Sequence, residues 1–321
     1  MNLSPKMIYK QFEKDEINKF IAYDHLVSFL ENSENENIRG EAIQILDKLG
    51  IYDIKLFDIL ENILISDSNA KIRNIAIKFI NKRFLTKAIT PLKWAVNHEN
   101  DYECLITIIK SLEKIDSEQS KLILFNQIKK IIKVKYLNKE KRIENKKYKK
   151  VIKKLLKTKK YETFSIRQLS RILINYLTIA NLSKQHPNVY YIINPQNGLI
   201  KELDLSDFLE YEVKGTPFGW KNNIKSISSI IGLNHLQNLK KIDLSNNQIE
   251  CVKELVNLGN LTHLTLTNNK ISELENLEYI KKLPNLEYLD LRHNDIVKKI
   301  HSNEFNSRLR VLLKDSYIKI K

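Results

Sequence analysis

Three times between Leu239 and Ile296 the chain repeats one pattern of apolar residues and a single asparagine. Leu239, Ile242, Leu244, Asn247 and Ile249 are followed by Leu261, Leu264, Leu266, Asn269 and Ile271, then by Leu286, Leu289, Leu291, Asn294 and Ile296. The shared form is L-x-x-L-x-L-x-x-N-x-I, with starts 22 and then 25 residues apart. Self-similarity at that period predicts stacked turns, since one turn alone cannot bury its apolar face. The L-x-L triplet alternates with period two, so both leucines face inward on a short strand. Each asparagine falls where the chain leaves the strand, and its amide can both donate to and accept from buried backbone groups. The return path is spaced by three: Ile249, Val252, Leu255, Leu258, Leu261, then Ile271, Leu274, Leu277, Ile280, Leu283, Leu286. Ile224, Ile227, Ile230, Leu233, Leu236 and Leu239 do the same before the first clear repeat. A strict period of three keeps one face inward in a helix of three residues per turn, and the 25-residue spacing is then one extra triplet.

This pattern resembles the leucine-rich repeat, in its short 22-residue class, the kind found in a regulatory subunit of protein phosphatase. The resemblance implies a curved stack with a parallel sheet on its concave side that binds partners and catalyses nothing. Upstream, Ile200, Leu203 and Leu205 match the strand, but Phe208 occupies the asparagine position. Residues 189–205 read as a hairpin cap, 206–221 as an irregular insertion, and 222–296 as the repeats. Residues 297–321 read as a C-terminal cap, with a short amphipathic helix and a last strand.

Residues 1–185 differ in kind, helical in pattern and nearly free of Gly and Pro. Asn37 to Leu46 and Lys71 to Ile80 are copies 34 residues apart, with a looser copy from Tyr102 to Ile115. Shorter apolar segments precede each, at 26–30, 56–65 and 91–96. Asp67, six residues before Arg73, resembles the inner loop of a HEAT repeat, although Ser33 stands at the matching place in the first copy. The expected architecture is a HEAT-like α-solenoid over 1–185 and a short leucine-rich-repeat stack over 186–321. Between 116 and 185 the pattern supports only a helical continuation.

The charge of +16 is concentrated in one segment. Residues 129–160 hold sixteen Lys/Arg against Glu140 and Glu144, which leaves 38 basic and 36 acidic residues elsewhere. A solvated lysine face explains this segment. The competing expectation is a phosphate-binding patch for nucleic acid or an anionic membrane surface, carried by Lys146, Lys147, Lys149, Lys150, Lys153 and Lys154.

Motifs for chemistry are missing from the sequence. It has no phosphate-cradling glycine loop, no H-E-x-x-H and no serine in a nucleophile elbow. A helical-repeat DNA glycosylase would want aromatic residues around a carboxylate in the helical half, where Trp94 is the one tryptophan. No enzyme, cofactor, metal or small-molecule substrate is expected. Cys104 and Cys251 lie in different halves, which argues against a disulfide framework and for a reducing compartment. No run approaches about 20 apolar residues, and no secretion signal is evident, so the cytoplasm is the expected location.

The outward strand positions give a binding surface in columns. The first holds Glu202, Lys241, His263 and Tyr288; the second Asp204, Asp243, Thr265 and Asp290; the third Ser206, Ser245, Thr267 and Arg292. Its acidic middle column is unsuited to a phosphate backbone, and a protein is the expected partner. Tyr288 and Arg292 are the expected anchors, because Tyr and Arg dominate interface energetics.

Overall fold

The computed structural model describes residues 4–133, 143–186, 189–207, 210–211, 217–218, 223–300, 305 and 308–313. They divide into two compact units, one of residues 1–131 with 164–173, the other of residues 132–163 with 174–321.

The first unit is a helical solenoid. Helices α1 (Pro5–Glu13), α2 (Lys19–Asn32), α3 (Glu36–Leu49), α4 (Ile54–Ser66), α5 (Ala70–Arg83), α6 (Ile89–His98), α7 (Tyr102–Ile115) and α8 (Glu118–Lys133) follow one another with short turns. Within a pair α2 packs on α3, α4 on α5 and α6 on α7. Between pairs α3, α5 and α7 form one row, while α2, α4 and α6 form the other. Most starts carry a side-chain cap: Asn18, Asn35, Asp53, Asn69 and Asp101 each accept from backbone N–H groups of the first turn. Each such cap is worth about 1 kcal/mol.

Arginines tie these repeats together, in a way the sequence spacing did not suggest. Asp67 lies six residues before Arg73, but its carboxylate binds Arg39 of the preceding pair, with Nε and a terminal nitrogen both at 3.0 Å. Arg73 in turn makes two 2.8 Å bonds to Glu99 of the following pair. Each arginine also donates to carbonyls of its own loop, Arg39 to Ser33 and Glu34, Arg73 to Asp67 and Ser68. The ladder runs from the arginine of one repeat to the acid of the next. Burial pushes the Glu99 carboxyl up, but Arg73 and the N–H groups of Asp101 and Asn100 outweigh it and hold the carboxyl below its usual range.

The second unit holds α9 (Ile143–Thr158), most of α10 (Ile166–Gln185) and the sheet. Strand β1 (Tyr190–Ile193) runs antiparallel to β2 (Ile200–Asp204) and forms the hairpin edge. A separate two-stranded pair, β3 (Glu210–Tyr211) and β4 (Pro217–Phe218), follows. From β2 the main sheet continues in parallel through β5 (Lys241–Asp243), β6 (His263–Thr265), β7 (Tyr288–Asp290) and β8 (Arg310–Leu312). Ile242, Leu244, Leu264, Leu266, Leu289 and Leu291 are buried, as the L-x-L alternation requires. Full burial of such a side chain stabilises by roughly 1.5–3 kcal/mol.

The consensus asparagines form the predicted internal ladder. Asn269 accepts from Ile249 N–H at 3.0 Å and donates to the carbonyls of Leu244 and Leu266, both at 2.9 Å. Asn247 bonds Ile224 N–H and Leu205 O, and Asn294 bonds Ile271 N–H and Leu266 O, so each asparagine reaches the preceding turn. The residue before each asparagine (Asn246, Asn268, His293) takes a left-handed backbone conformation, which Asn and His enter more readily than bulkier side chains.

Two expectations change. The extra triplet of the 25-residue repeat does not extend a three-residue helix; residues Glu275–Lys281 form an α-helix, α11. Leu274, expected inward, is exposed, and Asn276 is buried instead. Asn276 accepts from Val252 N–H at 2.9 Å and donates to Glu250 O and Glu273 O, a second asparagine link that the repeat pattern does not announce. Helix α9 and residues 174–185 of α10 group with the repeats in the second compact unit. The buried Tyr148 hydroxyl donates to Gly198 O at 2.7 Å, its ring meets Tyr176 edge-on at 5.5 Å, and Asn175 accepts from Ile200 N–H. Of the C-terminal cap, the last strand is seen as β8; Phe208, most of the insertion and the expected C-terminal helix lie outside the described residues, apart from isolated positions.

Candidate functional site: the concave face of the sheet

The register places the expected columns side by side. Glu202, Lys241, His263, Tyr288 and Arg310 are consecutive partners across β2, β5, β6, β7 and β8. Asp204, Asp243, Thr265, Asp290 and Leu312 make the second row. Ser206, Ser245, Thr267 and Arg292 follow two residues further along each strand.

The first row splits into two chemistries. At the β2 end Lys241 lies 3.7 Å from Glu202, which also meets Lys201 at 3.3 Å. At the β7 end the His263 and Tyr288 rings stack, with centroids 5.6 Å apart and planes 24° from parallel. The Arg310 guanidinium lies 5.9 Å from the Tyr288 centroid, within cation–π range. The His263 Nδ1 is 2.9 Å from the Thr262 hydroxyl, which fixes the ring plane. Arg310 is an addition to the expected surface; its strand lacks the repeat pattern, so sequence spacing did not point to it.

The second row is mostly internal structure. Asp204 accepts from both the N–H and hydroxyl of Ser206, and Asp243 does the same for Ser245. These bonds fasten the bend where the strand ends, and they account for the serines of the third column. Burial pushes the Asp243 carboxyl up, against the Ser245 bonds and helped by Asp204 and Asp290 on either side. Asp290 goes the other way: burial raises it, but the Arg292 bonds and charge outweigh that and hold it below the usual carboxylate range.

Arg292, expected as an anchor beside Tyr288, is bonded to the carboxylate that lies between them. Its Nε lies 3.0 Å from Asp290 Oδ1 and a terminal nitrogen 2.8 Å from Oδ2. Asp290 is 2% exposed, so the arginine neutralises a carboxylate withdrawn from water. Along these rows Lys241 and Arg310 are exposed, while Glu202, His263, Thr265, Thr267, Tyr288 and Arg292 are half-buried.

The expected phosphate-binding lysines lie on α9, outside the concave columns. Lys146, Lys150, Lys153 and Lys154 are exposed, Lys149 is half-buried, and Lys147 donates to Tyr191 O at 3.1 Å. Among the described residues no group of three or more His, Cys, Asp or Glu is arranged to hold a metal ion, and no helix is long and apolar enough to cross a membrane.

Comparison with known families agrees with this geometry. Residues 220–271 match a family model described as leucine-rich repeat, and residues 259–306 match one described as leucine-rich repeats in two copies. No curated protein and no solved structure matches the chain.

Proposed function

We propose that this leucine-rich-repeat protein is a scaffold or regulatory adaptor, without an enzymatic activity of its own, that binds a protein partner across the concave face of its sheet. Leucine-rich repeats are in general protein–protein interaction modules, and the proposal assigns that role to particular residues here. The observation that carries it is the outward row Lys241, His263, Tyr288 and Arg310, in register over four parallel strands. Two rings on a rigid sheet lose little conformational entropy on binding, and the cations beside them supply charge complementarity. A partner laid across the row buries on the order of 1,200–2,000 Å² in total. Two unpaired cysteines suit the cytoplasm as the setting. The test is affinity capture from native lysate with the full chain and with the double variant Lys241→Ala/Tyr288→Ala. A saturable partner lost by the variant, with melting unchanged, supports the assignment; retention of that partner removes it.

A further inference from the structure

Helix α9 is amphipathic, with its apolar side already in use. Tyr148, Ile152 and Leu155 are buried, and the Tyr148 ring packs against Tyr176 and Tyr191. A basic amphipathic helix read from sequence suggests a membrane-surface segment, whose apolar side enters the lipid. Here that side is occupied by the repeat unit. What remains outward is cationic.

Lys146, Lys150, Lys153, Lys154 and Lys157 are all exposed. At 3.6 residues per turn they fall within an arc of about 100°, over a length of about 16 Å. Among the described residues none of the five is engaged in an ion pair. Like charges at i, i+4 destabilise a helix by a few tenths of a kcal/mol each, so the stripe is held against its own repulsion by the buried side. At its flank stands an aromatic ring. Tyr190 on the edge strand β1 is 56% exposed, and Lys147 lies over its ring at 4.6 Å while donating to Tyr191 O. Lys147 thus belongs to a clamp that holds Tyr190 beside the stripe.

A row of cations that tracks a backbone, with an exposed ring on which a base stacks, is the arrangement that binds single-stranded nucleic acid with little sequence preference. We propose that the lysine stripe of α9, together with Tyr190, is a binding site for single-stranded nucleic acid, separate from the concave protein-binding face. The lysines neutralise phosphates and Tyr190 supplies the stacking platform. The absence of arginine from the stripe fits sequence-tolerant binding, since lysine acts as a point charge and lacks a bidentate fork.

The test uses the full chain and a fluorescein-labelled oligo(U) of about 12 nucleotides, within the length such a site covers. Neutralising five phosphates on a single strand predicts a slope of log K against log salt near about −3.5. Lys150→Glu/Lys153→Glu/Lys157→Glu should weaken binding by more than about tenfold and flatten that slope by about two. Should charge reversal alter melting, Lys→Gln at the same three positions gives the same comparison. Tyr190→Ala should weaken binding at least about fivefold with the salt slope unchanged, the signature of lost stacking. Vesicles of phosphatidylcholine with and without phosphatidylserine form the competing arm. No binding of the oligonucleotide at low salt, unchanged binding by the triple variant, indifference to Tyr190→Ala, or binding to phosphatidylserine vesicles alone would each overturn the assignment.

Discussion

Asp290 shows how one residue's surroundings decide what its neighbour is for. With the carboxylate 2% exposed, removing Arg292 leaves a buried charge supported by the backbone N–H of residue 292 and the Thr267 side chain alone among the groups that lower it. Arg292→Ala should therefore cost about 1–3 kcal/mol, whereas Tyr288→Ala should cost less, because it leaves no buried charge behind. Urea unfolding of the two variants separates them, and equal losses would contradict the structural role of Arg292. His186 offers a second test. It is buried, neither ring nitrogen has a hydrogen-bond partner among the described residues, and burial lowers its pKa from 6.5. As pH falls through 6.5 the unfolded chain takes up this proton first, so stability should decline below that value until the folded imidazole protonates as well. Thermal melts between neutral and mildly acidic pH should show the decline in the parent and a smaller one in His186→Leu; parallel curves would sink the idea. The sequence identified the leucines and the three consensus asparagines because their partners recur at a fixed interval. It did not show the Arg292–Asp290 bridge, because that pairing depends on burial, which residue spacing does not encode.

At the scale of elements, α9 and the C-terminal part of α10 group with the repeat stack. Periodicity recognised them as helical and assigned them to the solenoid, since the links that place them are single contacts across 25 to 50 residues: Asn175 to Ile200, Lys147 to Tyr191 and Tyr148 to Gly198. The arginine ladder of the first unit was half legible for a similar reason. Arg73 and Asp67 stood out as a motif, but the pairing skips to the next repeat, and Glu99 carries no motif of its own. Terminal turns of a repeat stack need a covering element, and the helices supply it on the hairpin side. Tyr148→Ala should accordingly cost about 3–5 kcal/mol, as expected for emptying a fully buried aromatic site, and Tyr148→Phe about 1 kcal/mol for the lost bond to Gly198. A fragment of residues 132–321 should show a cooperative thermal transition and a fragment of residues 186–321 should not. Cooperative melting of the shorter fragment at the same temperature would show that the helices are dispensable.

On the scale of the whole molecule, the second unit carries two distinct surfaces, and charge is divided between them unevenly. The concave face mixes Glu202, Lys241 and Arg310 with two stacked rings, while the cationic excess lies on and around α9. A mixed, aromatic-centred face is matched to a folded protein surface, where complementarity sets specificity and a few anchors supply affinity. A photo-crosslinking amino acid replacing Tyr288 in the full chain reads the central claim directly, with the same group at the exposed Glu250, which lies outside the strand columns, as control. In native lysate, a partner using the concave face should give a discrete, saturable adduct from position 288 and none from position 250. Equal labelling at both positions, or a discrete adduct from 250 alone, would contradict recognition through the concave sheet.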